Sequence, residues 1–149
     1  MTPVLLINFL ALIQGSKVLK ERERKFGFEI NSLEDYYQYM ELQLEKWVKV
    51  ERVIGLKTVS NPFREPPSPV KAEILFRKIG EDKYSNSDIE LLRLFLLEKI
   101  YKLCNKYDVV VAVHAGVWGD FRNLDPRHMI PIFERFPETR FISYGYALG

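Results

Sequence analysis

Val109-Val110-Val111-Ala112-Val113-His114-Ala115-Gly116-Val117-Trp118-Gly119-Asp120 is the stretch on which the fold turns. Its first five residues are apolar without interruption. Continuous apolarity, unlike alternation, belongs to a strand covered on both faces, as in a parallel sheet flanked by helices. The run ends on His114 and opens into a loop carrying Gly116 and Gly119, residues that permit close approach of a ligand. In α/β folds, ligands gather at the carboxyl ends of strands, so His114 stands where a functional histidine belongs. A histidine simply hydrogen-bonded at a strand end is the other reading. On the functional one, Trp118 and Asp120 face the mouth of the site.

The same alternation of short apolar runs and amphipathic segments continues outward. Val4–Asn8 and Val53–Val59 have strand length and apolarity, the second ending at Asn61-Pro62. Between them, residues 32–50 predict a helix capped by Ser32, with Tyr36, Tyr39, Met40, Leu44 and Trp47 at helical spacing. Residues 61–86 contain Pro62, Pro66, Pro67 and Pro69 and read as a long excursion with one short helix near Val70–Ile79. Residues 88–106 predict a helix capped by Ser87, with Ile89, Leu92, Leu96, Ile100 and Leu103 on its apolar face. Asp125-Pro126 opens a helix over 126–135, since proline suits the first helical position. Arg140–Tyr144 is a last strand. This order predicts one α/β domain over 1–149, with four parallel strands side by side in chain order, joined by right-handed crossovers. Four strands cannot close an eight-stranded barrel, which takes roughly 250 residues.

Bulk properties narrow the function. With 47% hydrophobic and 28% charged residues, the 149-residue chain has the composition of a folded soluble domain. Twenty-two basic residues against 20 acidic ones leave a net charge of +2, which gives no support for a nucleic-acid partner. The basic run Lys17–Lys25 is broken by Glu21 and Glu23 and reads as a solvated helix face. Pro3–Ile13 has no basic segment before it, is interrupted by Asn8 and is too short to span a bilayer. Cys104 is the single cysteine. It forms no internal disulfide, fits a reducing cytoplasm and, beside Leu103 and Tyr107, reads as a buried structural thiol.

Two further residues invite a chemical reading. Lys57 interrupts an apolar strand, where a bare ammonium is costly to bury. Snorkelling or a salt bridge is the plainer account, and a paired or chemically used lysine the sharper one. His128, after Asp125-Pro126-Arg127, belongs on the outer face of its helix.

Taken together, these motifs resemble the amidohydrolase-related family. Gly55-Leu56-Lys57-Thr58-Val59, followed by a loop containing Arg64, is similar to its fourth-strand segment. Val113-His114-Ala115-Gly116, then Trp118-Gly119-Asp120, Leu124-Asp125-Pro126 and Phe136-Pro137 match its fifth-strand region in order. Pro3-Val4-Leu5-Leu6-Ile7-Asn8 suits its third strand. The resemblance implies a partial (β/α) TIM barrel covering the third to sixth strands, acting on a small molecule through a divalent metal, zinc above all. His114 matches the family's fifth-strand metal ligand. Lys57 falls where some members carry a carboxylated lysine bridging two metals. Lys57 and Asp120 are thereby the catalytic candidates, and Trp118 and Arg64 the substrate contacts. Zinc held by imidazoles lowers the pKa of its water to about 7, which would serve hydrolysis at a carbon centre.

The departures are as informative. His114 and His128 are the only histidines, so the family's first-strand His-x-His pair has no counterpart. Tyr144-Gly145-Tyr146 stands where its sixth-strand histidine is expected, and its eighth-strand aspartate lies beyond Gly149. The expectation is a fragment that is incomplete as an enzyme. The rival is a non-catalytic half-barrel that associates with another chain through its open edges. A flavodoxin-like binding domain is disfavoured, because no phosphate-binding loop follows the first strand.

Overall fold

The computed structural model describes residues 4–114 and 125–144. Chain order is β1 (Val4–Leu6), α1 (Asn8–Ala11), α2 (Ser16–Phe26), α3 (Leu33–Lys49), β2 (Gly55–Val59), α4 (Pro69–Gly80), α5 (Asn86–Lys106), β3 (Val110–His114), a 3-10 turn (Pro126–Met129), α6 (Ile130–Arg135) and β4 (Phe141–Tyr144). The four strands form one parallel sheet in the order β1-β2-β3-β4. That is the partial (β/α) barrel expected from the alternation of apolar runs and amphipathic helices.

Local chemistry explains the boundaries. Ser32 caps α3 by accepting from the Asp35 N–H, with Glu34 and Asp35 in the first turn. Ser68 caps α4 in the same way, and Pro69 supplies a first position that needs no N–H. For α5 the cap is Ser85, not Ser87. Its hydroxyl accepts from the Asp88 N–H while the Asp88 carboxylate accepts from the Ser85 N–H, a reciprocal box; Glu90, the residue spaced to form one with Ser87, instead accepts from Arg93. The expected strand over Val4–Asn8 is shorter. The Leu10 and Ala11 amides both donate to the Ile7 carbonyl, so the chain turns into α1 after one last ladder bond from Ile7 N to Lys57 O at 2.9 Å. β2 likewise begins at Gly55 rather than Val53, because the Val53 amide is taken by the Trp47 carbonyl at the end of α3. The helix expected over 126–135 is split. Pro131 has no N–H to donate back into a continuous α-helix, so Pro126–Met129 winds as a 3-10 turn before α6.

Helices cover one face of the sheet. Leu56, Thr58, Val111 and Val113 alternate toward them and are buried with Tyr36, Met40, Leu44, Leu92, Leu96 and Ile100 in a single core. Arg22 fastens the corner beside β1. Its guanidinium donates to the Leu12 carbonyl at 3.0 Å and to the Tyr36 hydroxyl, which itself donates to the Leu10 carbonyl. The other face of the sheet is open. Val4, Leu6, Val59 and Ile142 stand 50%, 49%, 39% and 54% exposed there. In a closed barrel this is the inner face.

Candidate active site

Strand register places the candidates. Lys57 pairs with Ala112, and Val59 pairs with His114. Residues directly paired across a parallel sheet share a face, and alternate residues along a strand return to it. Leu56, Thr58, Val111 and Val113 point into the helical core, so Lys57 and His114 both point to the open face. With strands about 4.8 Å apart and a rise of about 3.3 Å per residue, their Cα atoms lie roughly 8 Å apart. Both are half-buried. His114 closes β3 at its carboxyl end, as its place in the sequence implied.

The edge beside His114 is held by the backbone. The Ser60 amide donates to the His114 carbonyl at 2.9 Å, extending the ladder past β2. The buried Ser60 hydroxyl donates to the Asp125 carbonyl at 2.7 Å, tying the strand end to the 3-10 turn. Asp125 in turn accepts from the Arg127 amide and guanidinium, and these bonds hold its carboxyl down to about 2. Trp118 and Asp120, the other residues expected here, lie outside the described residues.

Arg64 goes elsewhere. It borders a cavity of about 60 Å³ whose walls come from the end of β2, the 61–64 loop, α5 and the 129–132 segment, and which neither Lys57 nor His114 lines. His128, expected on an outer helix face, is instead half-buried in this cavity's wall, on the 3-10 turn that precedes α6. Thr58 and Tyr101 are the most buried of its polar residues. Sequence reading missed the cavity. The available signal was Arg93-x3-Leu97-x3-Tyr101, a row at i, i+4, i+8 on α5 beside the apolar stripe already recognised.

A family model described as Amidohydrolase matches residues 21–143. The chain belongs to the amidohydrolase family. Two solved structures share its fold. Uronate isomerase from Thermotoga maritima superposes with a TM-score of 0.68 at 12% identity, over 87% of this chain and 33% of that one. Glucuronate isomerase from Caulobacter crescentus gives 0.65 at 14% identity, over 88% and 32%. The family member described here therefore spans about one third of the length of these two barrels. No curated protein sequence matches it.

A catalytic zinc takes three protein ligands. Among the described residues, no group of three or more His, Cys, Asp or Glu side chains could hold a metal ion. His114 with Lys57 falls short of that set, so the described residues do not fit a complete metal centre. Among the described residues, no helix is long and apolar enough to cross a membrane.

Proposed function

We propose that this chain carries the third to sixth strands of a metal-dependent hydrolase of the amidohydrolase type, and that alone it is inactive. The observation supporting this is that Lys57 and His114 share the open face of a parallel sheet, with His114 at its carboxyl edge, where barrel enzymes place their chemistry. On this reading His114 is a metal ligand and Lys57 a second one. Asp120 is the remaining catalytic carboxylate, and Trp118 lines the substrate pocket. Zinc is the expected metal, a small molecule the substrate and a reducing cytoplasm the setting, given the single buried Cys104. The two similar structures are isomerases of uronates, so isomerisation belongs beside hydrolysis in any assay.

Calorimetric zinc titration of the purified chain and of His114→Ala, with an ester, amide and uronate panel in parallel, tests the proposal. The expected result is weak binding that His114→Ala weakens further, and no metal-dependent turnover. Submicromolar zinc binding with turnover would show a working enzyme. Binding indifferent to His114 would remove that residue from the site.

A second reading is favoured by the exposed Val4, Leu6 and Ile142 on the open face. The chain is then a non-catalytic half-barrel that covers this face by associating through its open edges. Sedimentation across a hundredfold concentration range separates the two readings, since only the second expects a dimer.

A further inference from the structure

The cavity between β2, α5 and the 3-10 turn combines features that the fold does not require. At its floor are two hydroxyl-bearing residues, Thr58 and Tyr101, which are only 4% and 3% exposed. Its walls are apolar, from Leu97, Met129 and Ile132. At its mouth stand three basic side chains, Arg64, Arg93 and His128. Among the described residues, Glu98 is the one acidic side chain lining it, and Arg135 holds that carboxylate at 2.9 Å. Arg93 already bonds Asn8 and Glu90, yet its charge still acts on the Tyr101 phenol. Arg64 is exposed on the loop. The cavity is therefore electropositive at the mouth, apolar along the walls and hydroxylic at the floor.

We infer that this cavity is a binding site for a small aliphatic monocarboxylate, with Arg64 and Arg93 meeting the carboxylate and Thr58 and Tyr101 donating from the floor. Size sets the class. A water position takes about 10–15 Å³ on the same scale, so about 60 Å³ holds roughly four such positions, the size of acetate. Guanidinium groups favour planar carboxylates through paired N–H donors, and the apolar walls disfavour a fully hydrated anion such as phosphate. Neither Lys57 nor His114 lines the site, which needs neither a metal nor a completed barrel.

The test is a two-dimensional amide NMR titration of the 149-residue chain with sodium acetate, in EDTA and at constant ionic strength. Acetamide, ethylammonium and inorganic phosphate serve as comparison ligands. Arg64→Ala and Tyr101→Phe are the variants, and Arg64, on an exposed loop, can be removed without endangering the fold. The expected result is saturable, millimolar acetate binding that shifts the amides of Thr58, Leu97, Tyr101 and Met129. Arg64→Ala should weaken it about tenfold, the loss of one charge-assisted hydrogen bond. Acetamide should bind at least about tenfold more weakly, since it lacks the charge. Unsaturated shifts, equal binding of acetamide, or affinity unchanged in Arg64→Ala would overturn the site. Phosphate binding tighter than acetate would overturn the carboxylate class. Because the titration is free of metal, its failure leaves the Lys57–His114 proposal untouched.

Discussion

Leu6 and Leu56 offer the same side chain on adjacent strands of one sheet, with opposite faces. Leu56 is fully buried against the helices, and Leu6 is half exposed on the open face. Replacing Leu56 by alanine removes its whole transfer free energy and leaves a cavity in the helix-covered core. Such substitutions cost about 2.7–5 kcal/mol, and full burial puts this one toward the upper part, about 4 kcal/mol. At Leu6 only about half of the transfer free energy is engaged, and water fills the vacated space, so no cavity term arises. From about 1.5–3 kcal/mol for complete burial of a leucine, the expected cost is about 1 kcal/mol. Urea unfolding of Leu6→Ala and Leu56→Ala at two protein concentrations measures both. A ratio near four, independent of concentration, is expected of an open half-barrel. Equal costs would mean that the inner face is covered in solution, and the one-chain account of the sheet would fail.

Two further expectations follow from charge and burial. Asp88 is held below the usual carboxylate range by the Ser85 backbone N–H first and by Lys78 second. Its stabilising effect is therefore complete above the unfolded carboxylate pKa and lost as pH falls through the lowered folded value. Stability measured from pH 6 to pH 2 should fall less steeply for Asp88→Asn than for the wild type, and parallel curves would exclude the box as an acid-sensitive element. Burial pushes the Cys104 thiol up to about 12. At pH 8 the folded chain should consume almost no thiol reagent over an hour, and about one equivalent in denaturing urea, whereas rapid native labelling would show that α5 opens locally.

Association and metal binding both depend on what meets the open face. If a second copy covers it, Leu6→Ala should also lower the dimer affinity, whereas the Ser85–Asp88 box should leave it unchanged.

The strand count, their parallel order and the place of His114 were legible in the chain itself. Runs such as Val109–Val113 are too apolar for a face open to water throughout, and Ser32 and Asp125-Pro126 mark element starts through local hydrogen bonding alone. Lys57 was legible as a residue out of place in an apolar strand, but not the face it takes. A one-residue change of register would have sent it into the helical core, and register is set by pairing between segments more than fifty residues apart. The same holds for the choice of Ser85 over Ser87 as a cap, since both carry the right hydroxyl and only Asp88 reaches back to one of them. The cavity that joins Thr58, Arg64, Tyr101 and His128 belongs wholly to the tertiary structure. Its residues come from four segments, and none of them carries a local pattern that announces the others. Sequence by itself determined which elements form and which strand ends carry chemistry, because those follow from neighbours along the chain. Packing decided which side chains share a face or a cavity, because that depends on contacts the chain makes only after it closes on itself.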